Sequence, residues 1–257
     1  MPARPEGVPC WADMMVADLD AAEHFYGELL DWTFVDGGDA LGNYTEARSD
    51  GAAVAALAPL LPGQEDWPTT WTLYFSSRDA DATAERVRAG GGAVVMGPTS
   101  IFDIGRMCVA RDPGGAVFGA WQAGRHPGFG KRGVPGAFAW AEVRTGEPEE
   151  ADAFYPAVFP FTARPLPQAG GDVAGWEADG ELVAARRRTT ADRPAEPPAY
   201  VDVHFGVRDC DEAVAVVERL GGDVRAGPAD SPFGRVAAVV DPWGSPFSVI
   251  DPARRAE

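Results

Sequence analysis

Asp202 and His204 place a carboxylate and an imidazole two residues apart in the segment Tyr200-Val-Asp-Val-His-Phe. In an extended strand both project from one face, where they can pass a proton to or from a bound molecule near neutral pH. The same spacing also suits a polar strand face turned to solvent. Asp13 and Glu142 follow Trp11-Ala and Trp140-Ala in two matching segments. Burial would raise their pKa and make them general acids or bases, whereas a bond from an arginine or a backbone N–H would make them structural. Eight tryptophans, including Trp11, Trp121 and Trp140, offer flat faces for core packing or for stacking on a planar small molecule.

Other chemistry is poorly supported. Cys10, Cys108 and Cys210 form no CxxC, which argues against a disulfide framework or a thiolate metal site. No Gly-rich phosphate loop, Ser-His-Asp order or HExxH is present, and Gly90-Gly91-Gly92 reads as a helix stop. The run Arg186-Arg187-Arg188 suits either an anionic ligand or a solvated strand end. His24 and His126 fall on a helix face and in a loop, where histidines are ordinarily solvated. Arg106 and Arg235 each follow a glycine, where they can close a loop or hold a ligand oxygen.

The elements that must position these residues are repeated. Trp11-Ala12-Asp13 leading to Phe25-Tyr26 recurs 129 positions later as Trp140-Ala141-Glu142 leading to Phe154-Tyr155. Gly105-Arg106, Asp112-Pro113 and Phe118 recur at that offset as Gly234-Arg235, Asp241-Pro242 and Phe247. Each half contains two strand-then-helix segments, near 11–30 and 72–89 and near 140–157 and 201–219, so the chain reads as four modules. Aspartates at the helix starts supply N-cap oxygens, double glycines stop the helices, and three strands are expected after each helix. Pro156 is expected to shorten the third helix. The two Asp-Pro segments read as hairpin turns. Strands are expected at 43–47, 53–58, 107–110 and 116–121, and the domains at 1–123 and 137–257, joined by the Gly- and Pro-rich segment 124–136.

The fourfold order of strand, Asp-initiated helix, Phe-Tyr, double glycine and Asp-Pro-x-Gly resembles the vicinal oxygen chelate superfamily of glyoxalases, bleomycin-resistance proteins and dioxygenases, across nearly the whole chain. The tandem length is similar to that of two-domain glyoxalase-like proteins of actinobacteria, some labelled hydroxylases. The resemblance implies an α+β fold of four βαβββ modules in two domains, with cupped mixed sheets, helices outside, and a ligand or divalent metal inside. Residues expected to face these interiors are Trp11, Asp13, Met15, Thr72, Tyr74 and Trp121, then Trp140, Glu142, Tyr200, Asp202 and His204.

The resemblance also implies metal-ligand positions, which here hold Trp11, Thr72 and Gly119 in one half and Trp140, Asp202 and Ser248 in the other. Only Asp202 among them can bind a cation, so neither a metal nor another cofactor is expected. A net charge of −17 disfavours nucleic acid and anionic lipid as partners. The chain is expected to be cytoplasmic, monomeric or homodimeric, with a small molecule as its partner. The first functional reading is metal-independent binding of an aromatic or apolar small molecule, such as an antibiotic or biosynthetic intermediate. An alternative is a metal-free lyase, isomerase or hydroxylase-type enzyme using Asp202 with His204, or Asp13 and Glu142. A third is a structural protein whose interiors are filled by its own side chains.

Overall fold

The computed structural model describes residues 4–60, 63, 69–189 and 199–255. They form four βαβββ modules. The first comprises β1 (Pro9–Val16), α1 (Leu19–Leu30), β2 (Thr33–Asp36), β3 (Thr45–Ser49) and β4 (Ala52–Pro59). The second comprises β5 (Trp71–Ser76), α2 (Ala80–Ala89), β6 (Ala93–Ile101), β7 (Gly105–Arg111) and β8 (Val117–Ala123). The third comprises β9 (Phe138–Thr145), α3 (Pro148–Val158), β10 (Thr162–Pro165), β11 (Val173–Ala178) and β12 (Glu181–Arg188). The fourth comprises β13 (Ala199–Gly206), α4 (Cys210–Arg219), β14 (Asp223–Ser231), β15 (Gly234–Val240) and β16 (Pro246–Asp251).

Local chemistry accounts for most of these boundaries. Asp18, Asp79 and Asp209 are extended N-cap residues whose carboxylates accept from the first free N–H groups of α1, α2 and α4. Helix α3 lacks such a side-chain bond and starts instead on Pro148, whose missing N–H costs nothing in a first turn. Contrary to expectation it continues past Pro156 to Val158. Proline removes a bond to the preceding turn only, and Phe159 N still reaches Tyr155 O to close the end. The third strand of the first module starts at Thr45 rather than at residue 43, because Asn43 sits at φ 56° in the preceding turn. Both Asp-Pro segments are hairpin turns: Asp112 Oδ1 and Asp241 Oδ1 accept from the N–H groups of Ala116 and Ser245.

Two eight-stranded mixed sheets result, in the orders β2-β3-β4-β1-β5-β8-β7-β6 and β10-β11-β12-β9-β13-β16-β15-β14. Compact packing follows a different division. One unit holds residues 1–11, 72–128 and 141–202, the other residues 12–71, 129–140 and 203–257. In the first unit, Phe75 and Phe118 pack with Phe154, Tyr155 and Phe159. In the second, Phe25 and Tyr26 pack with Phe247, and Trp71 packs with Phe205. The Phe-Tyr signature of each half therefore meets the closing strand of the other half. Tyr26 Oη donates to Asp241 Oδ2 at 2.9 Å and accepts from Trp71 Nε1 at 3.1 Å. Burial, then the Asp241 charge, holds the Tyr26 phenol well above its usual range. No helix among the described residues is long and apolar enough to cross a membrane.

Candidate functional site

Alternation along the inner strands separates a core face from a second face that carries the chemistry. On β1, Ala12, Met14 and Val16 are buried, while Asp13 and Met15 project the other way and are half-buried. On β9, Ala141 and Val143 are buried on one side, with Trp140, Glu142 and Arg144 on the other. On β13, Val201, Val203 and Phe205 face the core, opposite Tyr200, Asp202 and His204.

On the first-half strands of the unit that contains residues 72–128 and 141–202, the second face is aromatic. Trp11, 4% exposed, packs in a T-shaped pair with His126 at a centroid distance of 4.4 Å and 89°. Trp121, 7% exposed, lies 5.8 Å from the same imidazole and donates its Nε1–H to the His126 carbonyl at 3.0 Å. Tyr74 on β5 is in register with Gly119 on β8, and its ring lies over that glycine so closely that a Cβ at 119 would overlap it. Gly105 similarly makes room for the Trp121 indole. Thr72 shares the Tyr74 side of β5. In the other unit, Asp13 Oδ2 accepts from Tyr44 Oη at 3.0 Å, and β1 pairs Asp13 and Met15 with Ala56 and Ala58 of β4.

The corresponding residues of the second half are ionic. Where the first half has Asp13, Met15 and Ala58, the second has Glu142, Arg144 and Arg187, in the same strand register. Arg187 grips Glu142 with a two-pronged bond, Nε to Oε2 at 2.6 Å and Nη2 to Oε1 at 3.0 Å. Arg144 Nε donates to Asp202 Oδ2 at 2.7 Å, and its Nη2 stands 3.6 Å from Glu142 Oε2. Burial by itself would lower the Arg144 pKa, but the charges of Asp202 and Glu142 outweigh it and hold that pKa above the usual guanidinium range. Ligand atoms of Glu142, Asp202 and His204 lie within 4.8 Å of one another. Asp202 and His204 are 1% and 5% exposed, on one face of β13 as the spacing predicts.

The remaining candidates have partners within the chain. Arg186 reaches Asp152 and Asp172, and Arg188 reaches Asp172 and Glu149, so the arginine run is matched by its own acids. Arg106 and Arg235 each fork onto an acid of a helix's first turn, Asp81 and Asp211. Trp67 lies outside the described residues.

Comparison with known proteins fits this architecture. Residues 11–119 match the model of the Glyoxalase/Bleomycin resistance protein/Dioxygenase superfamily. The anthracycline biosynthesis protein DauV of Streptomyces sp. (strain C5) is 36% identical over 258 residues, covering 95% of this chain and 93% of that protein. The chain belongs to this superfamily. CFP32 of Mycobacterium tuberculosis, named as a candidate glyoxylase, is 39% identical over 269 residues, covering 98% of this chain and 99% of that protein. A solved Mn(II)-bound glyoxalase from Novosphingobium aromaticivorans shares the fold, with a TM-score of 0.64 at 18% identity over 98% of this chain and 86% of that one.

Membership raises the question of whether a divalent metal fits. At the first-half ligand positions implied by the resemblance, Trp11 and Gly119 have no donor atom for a metal, and the Tyr74 ring occupies the space that a side chain at 119 would need. In the second half the carboxylates of Asp202 and Glu142 have the right chemistry, but two guanidiniums already neutralise them. A dication bound there would have to take these carboxylate oxygens from Arg144 and Arg187, which now hold them. The first-half residues as arranged do not fit the group; in the second half Glu142, Asp202 and His204 offer three buried donor atoms within 4.8 Å of one another, beside the Arg144 and Arg187 guanidiniums. Sequence reasoning passed over Gly119 as the seat of an aromatic ring, and it left His126 in solvent. The family ligand spacing pointed to Gly119; nothing local pointed to His126.

Proposed function

We propose that this chain is a metal-independent binding protein for a planar aromatic or apolar small molecule, held by the indoles and phenol of the first-half sheet. The observation that carries this is the Tyr74 ring seated over Gly119, with Trp11 and Trp121 gathered at His126 in the same unit. Aromatic faces here take the place of a donor set. Rings of this kind favour offset or edge-on contact with another ring and contribute large apolar area. The relationship to a protein named for anthracycline biosynthesis supports a fused-ring ligand, since anthracyclines are planar polycycles. The partner on this reading is a small molecule and not nucleic acid, and four modules supply both sheets from one chain.

The test titrates an anthracycline into protein of measured metal content while following tryptophan fluorescence. Saturable quenching by metal-free protein, lost in Trp11→Ala with the fold intact, is the expected result. Stoichiometric zinc, manganese or iron required for binding would overturn it, as would identical affinity in Trp11→Ala and Trp140→Ala.

A second reading, a metal-free lyase, isomerase or hydroxylase-type enzyme, draws on the burial of Asp202 and His204 on one strand face. Turnover of a candidate intermediate that His204→Ala abolishes, without loss of binding, would favour it.

A further inference from the structure

We infer that the chain holds one aromatic ligand and not two, because the second-half counterpart of the aromatic face is closed by its own ions and by a loop that they fasten. This inference rests on the binding reading above. On β9 and β12, strand alternation puts Glu142, Arg144, Ala185 and Arg187 on one face, with Ala185 opposite Glu142 and Arg187 opposite Arg144. The fork from Arg187 to Glu142 and the contacts of Arg144 with Asp202 and Glu142 cover this face with paired charges. The Glu142 and Asp202 side chains are 7% and 1% exposed, so separating either from its guanidinium to admit an apolar ring would leave a charge buried without its counter-ion.

The arginine run adds a cover. Arg187 Nη1 donates to Gly170 O at 3.1 Å and to Ala169 O at 3.4 Å, in the loop 166–172 between β10 and β11. Arg186 Nη1 donates to Asp172 O at 3.2 Å and Arg188 Nε to Asp172 Oδ2 at 2.8 Å, while the same two guanidiniums hold Asp152 and Glu149 of α3. The loop is therefore gripped from both faces of β12, by Arg187 from the Glu142 side and by Arg186 and Arg188 from the α3 side. Leu166 is buried and roots its start. All of these residues lie within 141–202, in one compact unit. At the repeat offset of 129 the first half has Leu57, Ala58 and Pro59 where the run stands, so none of the three guanidiniums has a counterpart there. A planar apolar molecule meets indoles and a phenol in the first half and a closed ionic lattice in the second.

The experiment titrates an anthracycline into wild-type protein by isothermal calorimetry and, without ligand, follows amide hydrogen exchange by mass spectrometry in wild type, Arg187→Met and Arg187→Lys. One anthracycline per chain is expected, with its heat lost in Trp11→Ala. Exchange at 166–172 should be slower in wild type than in a free peptide of the same sequence. It should be about tenfold or more faster in both variants than in wild type, since neither side chain reproduces the guanidinium fork.

Two anthracyclines per chain would overturn the inference and leave the binding reading standing, whereas a single site kept in Trp11→Ala would overturn both. Exchange at 166–172 as fast in wild type as in the free peptide, or unchanged in both variants, would also overturn the closure of the second half. If no anthracycline binds, the binding reading falls, and the exchange comparison still decides whether the loop is fastened.

Discussion

Gly119→Ala tests the central steric claim, that the Tyr74 ring fills the space where a side chain at 119 would stand. A Cβ at 119 would overlap Cγ as well as Cδ1 and Cε1 of Tyr74, so swinging the outer ring aside does not relieve the clash. Both residues sit on paired inner strands, in register, which limits backbone relief. Overpacking of this kind costs about 1–3 kcal/mol. Tyr74→Ala alone removes a buried ring and should cost roughly 3–5 kcal/mol. In the double variant the methyl introduced at position 119 enters vacated space, so the second substitution should add almost nothing, giving a coupling of about 1–3 kcal/mol between sites that would otherwise add. Urea unfolding followed by far-ultraviolet circular dichroism measures all four corners of the cycle, with the slope checked for constancy. Additivity to within about 0.5 kcal/mol, or a Gly119→Ala protein as stable as wild type, would refute the reasoning.

Two further outcomes follow from the buried charges. Arg144→Met leaves the Asp202 carboxylate without its guanidinium in a site 1% exposed. It should cost about 3–5 kcal/mol at neutral pH and less in acid, where Asp202 can take up a proton, as equilibrium unfolding at the two pH values would show. Burial raises the Asp241 carboxyl above its ordinary value of 3.8, against the opposing bonds from Ser245 N and Tyr26 Oη. The folded chain therefore keeps this proton where the unfolded chain has released it. The stabilisation this group contributes is complete below pH 3.8 and is lost as pH rises through the folded value. Asp241→Asn should flatten the stability profile in that window, and an unchanged profile would contradict the raised value.

The repeat, the helix starts and the hairpin turns were legible in the sequence because each depends on neighbours a few residues away. Asp18, Asp79 and Asp209 cap their own first turns, and strand alternation puts Asp202 and His204 on one face wherever the strand lies. The Asp-Pro turns close on themselves. The family positions, too, were enough to reveal tryptophan and glycine where ligands would stand. Tertiary structure decided what those residues touch. Tyr26 bonds Asp241 from 215 residues away, a pairing that depends on which module packs against which. For Glu142 a bond from an arginine was the favoured reading over a titrating acid, but only β12 showed which arginine, by placing the Arg187 fork on it. His126 looked like a solvated loop residue because its anchors, Ile104 and Trp121, lie on other strands and turns. Side-chain type and periodicity select an element and a face, but the identity of a partner depends on chain segments that sequence spacing does not bring together.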